Sequence, residues 1–104
     1  MKSPLEELPI EEITDLCLRW RIRELAVFGS ILTEHFRPDS DIDLLAAFQE
    51  DAPWSLLDIV RLEEELEAVL GRPVDLFTRH AVEQCPNALL KNEILNSARR
   101  VYAA

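Results

Sequence analysis

An α/β domain, with a sheet of three or four strands flanked by helices, is what this sequence predicts, on three observations. Short apolar runs ending at Phe28, Phe48 and Phe77 have strand character. Segments of helical periodicity stand before, between and after those runs. The connections are short and punctuated by glycine and proline, so the order helix, strand, strand, helix, strand, helix closes on one core. With 104 residues there is room for one domain, 1–104, and no second substrate-binding domain.

The elements follow in order. After Leu8-Pro9, the residues Ile10, Ile13, Cys17 and Trp20 form one stripe of an amphipathic helix over about 10–20, with Glu11, Glu12 and Asp15 outside it. Leu25-Ala26-Val27-Phe28 reads as a buried strand that stops at Gly29-Ser30. Residues 31–40, with Pro38, read as a turn or short helix and then a loop. From Asp41 to Phe48 strict alternation gives way to a continuous apolar run, as in a strand that starts at a solvent-facing edge. A helix follows over 53–70, with Asp51 as its expected N-cap, Pro53 in its first turn and Gly71 as its stop. Its apolar face is Leu56, Ile59, Leu62, Leu66, Val69 and Leu70, and its acids Glu63, Glu64, Glu65 and Glu67 read as a solvated face. Pro73 to Phe77 is a third strand, and Pro86 opens a last helix carrying Leu89, Leu90, Ile94 and Leu95. Strand directions do not follow from the pattern.

Composition narrows the function. Twenty acidic against eleven basic residues give a net charge of −9. A field of that sign repels phosphate backbones, so direct nucleic-acid binding is not expected, whereas divalent cations and basic protein partners suit it. No run approaches the roughly 18 uncharged apolar residues of a membrane span, and Met1 to Glu7 lacks an apolar signal core. A cytoplasmic protein without membrane contact is expected, and Cys17 and Cys85 are expected as reduced thiols.

The residues that carry chemistry are a glycine-serine turn and three carboxylates. Gly29 ends a buried strand immediately before Ser30, where a bend without a side chain lets backbone N–H groups and a hydroxyl approach a phosphate. Taken alone, the pair is more often an ordinary strand-to-helix turn. Asp41 and Asp43 are two apart in a strand, so both carboxylates project from one face. Like charges that close repel, and a divalent cation between them removes the penalty; acids at a solvated strand start are the plainer alternative. Asp75 stands between Val74 and Leu76-Phe77, where an unpaired buried carboxylate is costly. If its strand neighbours the Asp41 strand, all three acids meet at one edge of the sheet. Three carboxylates, two metal ions and a phosphate-holding turn are the parts of metal-assisted nucleotidyl transfer.

Val27-Phe28-Gly29-Ser30, then Pro38-Asp39-Ser40-Asp41-Ile42-Asp43-Leu44-Leu45, then Gly71-Arg72-Pro73-Val74-Asp75-Leu76 together resemble the minimal nucleotidyltransferases of the polymerase-beta-like superfamily. The likeness runs from the first helix to Val101-Tyr102 and rests on three ordered motifs. It implies a nucleotidyltransferase fold with a small mixed sheet, nucleotide binding at Gly29 and Ser30, and metal binding and catalysis at Asp41, Asp43 and Asp75. The implied cofactor is Mg2+, as two ions that Mn2+ can replace, with ATP as substrate. The implied partner is a HEPN-type ribonuclease toxin, to a tyrosine of which AMP is transferred, making the chain its antitoxin. A catalytically weak antitoxin that neutralises by binding alone is the alternative.

One departure from the family pattern bears on that choice. Where the family commonly continues Gly-Ser with Arg-Ala-Arg-Gly, this chain has Ile31-Leu32-Thr33-Glu34-His35-Phe36. Two cations near the triphosphate are missing and Glu34 adds a negative charge, so weaker ATP binding is expected unless Arg37 or Arg72 substitutes. His35, His80, Trp20, Trp54 and Tyr102 are expected in surface, packing or interface roles.

Overall fold

The computed structural model describes residues 8–32 and 40–104. Among them are four helices, α1 (Ile10–Arg19), α2 (Leu56–Leu70), α3 (Arg79–Glu83) and α4 (Ala88–Ser97). The four strands are β1 (Ile22–Phe28), β2 (Ile42–Phe48), β3 (Val74–Thr78) and β4 (Arg99–Ala103), and a single 3-10 turn spans Gly29–Leu32. The sheet has the order β3-β2-β1-β4 and is mixed: β1 runs antiparallel to β2 and β4, while β2 and β3 are parallel. The parallel pair follows from the intervening helix, since α2 carries the chain back along the sheet before β3 starts.

Helices cover both faces. On one side α1 and α2 press Ile13, Leu16, Cys17, Leu62 and Leu66 onto Leu25, Val27, Ile42, Leu44 and Val74, all buried. The alternate strand residues Ala26, Phe28 and Leu45 form a smaller cluster on the other side with Val82 of α3, against which Ile94 and Leu95 of α4 pack. Both cysteines are free thiols; burial of Cys17 pushes its pKa up to about 12. No helix among the described residues is long and apolar enough to cross a membrane.

Several elements differ from the sequence expectation. Helix α2 starts at Leu56, not near Pro53, because Ser55 and Asp58 form a reciprocal capping box, in which the Ser55 amide donates to Asp58 at 2.9 Å. Asp51 instead pairs with Arg21 at 3.2 Å. Asn87, not Pro86, caps α4 by accepting from the Leu90 amide at 3.1 Å. The short helix α3 and the strand β4 are additional. β4 carries Arg99 and Arg100, which resemble a solvated tail in sequence, yet it pairs with β1 through Ala26↔Arg100 and Val27↔Arg99. Tyr102 lies opposite Leu25, packed against the main core and at the far edge of the sheet from β3.

The acidic face of α2 is mostly engaged. Glu65 accepts from Arg19 at 3.2 Å and from the indole N–H of Trp20. Glu67 and Glu63 accept from the Val74 and Leu76 amides, each at 3.0 Å. The ring of Trp20 meets that of Trp54 with centroids 4.8 Å apart, and the Trp54 indole donates to the Trp20 carbonyl at 2.6 Å. Both tryptophans therefore act as packing residues at the α1–α2 junction.

Candidate active site

The sheet register brings two of the three expected acids side by side. Asp43 lies opposite Phe28 on β1 and opposite Asp75 on β3. By strand alternation, Asp43 and Asp75 share the face of the sheet that carries Phe28, Leu45 and Phe77, away from α1 and α2. The rings of Phe28 and Phe77 form an edge-to-face pair at 5.4 Å on that face. Asp41 stands one residue before β2, exposed, rather than inside the strand.

The desolvation falls on a different acid from the one expected. β3 is an edge strand, so Asp75 is exposed, whereas Asp43 on the interior strand β2 is half-buried. The Asp43 carboxyl is held above the usual carboxylate range, first by burial, then by the charges of Asp75 and Asp41, and by a hydrogen bond with Asp75. Both neighbouring acids thus act on Asp43, although Asp41 lies outside the ladder.

Gly29 closes the site from the β1 side. Its φ of +78° lies in the left-handed region, and a Cβ added to it would stand 2.2 Å from Oδ2 of Asp43. The bare backbone at the end of β1 is therefore in contact with the central carboxylate, a constraint separate from any approach of phosphate. Ser30 follows in the 3-10 turn. The loop after α2 clips the start of β2: the Ile42 amide donates to the Pro73 carbonyl at 3.0 Å, and Arg72 donates to the Ser40 carbonyl at 3.4 Å. Arg72 is thereby tied to the backbone beside Asp41. Glu34, His35 and Arg37 lie outside the described residues.

The donor set fits a hard divalent cation. Carboxylate oxygens at the solvent-facing end of a sheet suit magnesium or manganese and not a soft metal. Among the described residues no group of three or more His, Cys, Asp or Glu side chains is arranged to hold a metal ion. Magnesium does not require one, because it takes one or two carboxylates and completes its shell with water and substrate phosphate. The mutual repulsion around Asp43 is the charge imbalance a cation relieves.

A groove of about 520 Å³ lies at the opposite end of β2 and β3, beside Phe48, Trp54, Thr78 and His80, and shares no residue with the carboxylates. Glu63 and Glu67, expected on a solvated face of the helix, instead hold the amides flanking Asp75. Their only sequence signal is two glutamates one helical turn apart on the helix that precedes the Asp75 strand.

Comparison with known proteins gives consistent results. The model of the nucleotidyltransferase domain matches residues 10–101. A candidate protein adenylyltransferase of Methanocaldococcus jannaschii is 40% identical over 87 residues, covering 84% of this chain and 87% of the relative. The protein adenylyltransferase MntA of Thermococcus cleftensis is 43% identical over 65 residues, covering 62% of this chain and 64% of its own. Among solved structures, a candidate minimal nucleotidyltransferase superposes with a TM-score of 0.70 at 33% identity, covering 95% of both chains. A tri-AMPylated HEPN toxin of Shewanella oneidensis in complex with its MNT antitoxin gives a TM-score of 0.61 at 15% identity, covering 91% of this chain and 70% of that one. A toxin–antitoxin structure with AMP-PNP gives 0.71 at 17% identity, covering 93% and 75%. The last two likenesses concern the fold.

Proposed function

The chain belongs to the nucleotidyltransferase domain family, and on that premise we propose that it transfers AMP from ATP to a tyrosine hydroxyl of a HEPN-type ribonuclease toxin, acting as its antitoxin. The observation that carries this reading is the register Asp43↔Asp75, with Asp41 beside it and the Gly29 backbone against Asp43. The relatives named as protein adenylyltransferases, and the antitoxin whose toxin partner is AMPylated, support the choice of AMP and of a protein acceptor.

In this reading Asp41, Asp43 and Asp75 are the residues that would hold Mg2+. Bound Mg2+ supplies charge stabilisation for the leaving pyrophosphate and lowers the pKa of the attacking hydroxyl. Asp75, exposed at the sheet edge, accepts the proton of the incoming hydroxyl in this reading. Gly29 and Ser30 orient the triphosphate through the backbone of the turn. The net charge of −9 steers a basic partner to this surface and disfavours metal-free ATP.

A weaker catalyst that neutralises chiefly by binding is favoured by one feature. Ile31, where the family commonly places an arginine, is buried in the main core, so no cation stands there. Labelled ATP decides the reaction type. With magnesium and the partner, label on the α-phosphate is expected to enter the partner and label on the γ-phosphate is not. Incorporation of the γ label would refute nucleotidyl transfer, and absence of both labels, with a tight complex, would favour the binder.

A further inference from the structure

The edge position of β3 poses a problem that α2 answers. Among the described residues no strand lies beyond β3, and an edge strand presents outward N–H groups with no strand to receive them. Here the amides immediately before and after Asp75 are not left open: Val74 N donates to Oε2 of Glu67, and Leu76 N donates to Oε2 of Glu63, both at 3.0 Å. The spacings match. Residues four apart on a helix rise about 6 Å, and residues two apart on a strand advance about 6.6 Å. Two glutamates one turn apart on α2 thus take the place of the missing neighbouring strand.

These contacts are not needed to seat the helix, because Leu62 and Leu66 of α2 are already fully buried. Like charges at that spacing are unfavourable on a solvated helix, so the two amides are what make the pair tolerable. What the contacts add to the β2 ladder is a second hold on the height of β3. A slip of one residue would turn Asp75 to the α2 side of the sheet.

We infer that Glu63 and Glu67 are positioning residues for nucleotidyl transfer, accepting the two N–H groups that flank Asp75 and so holding its carboxylate level with Asp43. The inference rests on the reading of Asp75 as a site carboxylate. The glutamates touch neither nucleotide nor metal; they act through the β3 backbone.

The test uses the full chain with its HEPN-type partner, ATP and magnesium, and separately the full chain alone for amide exchange. In Glu63→Ala/Glu67→Ala the Val74 and Leu76 amides are expected to exchange at least about tenfold faster than in the wild type. Per folded molecule, kcat is expected to fall about tenfold or more while KM for ATP stays within about twofold. Glu63→Gln/Glu67→Gln keeps a carbonyl acceptor at each position and is expected to restore both readouts. Glu64→Ala, exposed on the same helix, is expected to change neither. If the double alanine variant does not fold, the single variants serve, each freeing only its own amide. Unchanged exchange in the alanine variants, faster exchange with unchanged kcat, or failure of the glutamine variant to restore kcat overturns the inference. A wild type that transfers nothing while these amides remain protected overturns the reading of the site, and the inference with it.

Discussion

Replacing Gly29 by alanine separates backbone cost from site chemistry, because the chain offers a matched control. Both of its glycines lie in the left-handed region, Gly29 at φ +78° and Gly71 at φ +72°. A Cβ there costs about 1–2 kcal/mol at either position. For a domain of this size that lowers Tm by roughly 4–16 °C. The surroundings differ completely: a Cβ at Gly71 meets nothing within 4 Å, while one at Gly29 would stand 2.2 Å from Asp43 Oδ2. The clashing atom ends a side chain that can rotate, so relief comes from swinging the carboxylate aside and adds little to the loss of stability. The Asp43 oxygen must retreat by about 1 Å or more to reach ordinary contact, a displacement that costs on the order of 100-fold in rate. The assay is thermal melting together with AMP transfer per folded molecule. Gly29→Ala and Gly71→Ala are expected to melt alike, with transfer lost only in Gly29→Ala. Equal transfer by the two variants would refute the argument that Gly29 exists to let the backbone meet Asp43.

Other outcomes follow from the same geometry. The folded-state pKa of Asp43 is raised, so its contribution to stability is full below about 3.8 and is lost as pH rises through the folded value. The metal-free wild type is therefore expected to gain on Asp43→Asn as pH falls from neutral toward about 4, the variant being the more stable near neutrality; melting curves across that range check the sign. Ser55→Ala removes the capping box of α2 and is expected to cost about 1 kcal/mol, with transfer per folded molecule unchanged; a melt and an activity assay suffice. Iodoacetamide at neutral pH is expected to modify Cys85 and to spare Cys17, whose thiol burial pushes up to about 12; peptide mass mapping reads both sites, and equal labelling would mean the α1 core is open.

The sequence carried the central strands of the sheet further than it carried the edges. The pairing of Asp43 with Asp75 was legible because the motifs are ordered and an intervening helix makes their strands neighbours, whereas alternation placed Asp41 inside a strand that starts only at Ile42. The cost of burial was assigned to Asp75 because Val74, Leu76 and Phe77 surround it in sequence. Strand order decides burial, and only the sheet shows that β3 is an edge and β2 is not. The same blindness hid β4, whose Arg99 and Arg100 look like a solvated tail until β1 is seen to need a partner. It also made Glu63, Glu65 and Glu67 look idle. Helical periodicity shows which way a side chain points from its own helix, not that a strand amide or the Trp20 indole waits there. The α2 start was misread because Asp51 and Pro53 are adequate helix-opening residues, and Ser55 with Asp58 is a better pair.

The central claim is that the Asp41, Asp43 and Asp75 end of the sheet transfers AMP to a partner protein. Intact mass of the HEPN-type partner, after incubation with ATP, magnesium and either the wild-type chain or Asp41→Asn/Asp43→Asn, tests it most directly. The account expects the partner to become heavier by whole AMP units with less than one equivalent of wild type, and to keep its original mass with the double variant, which still binds it. An unmodified partner under both conditions, or equal modification by the wild type and the double variant, would contradict it.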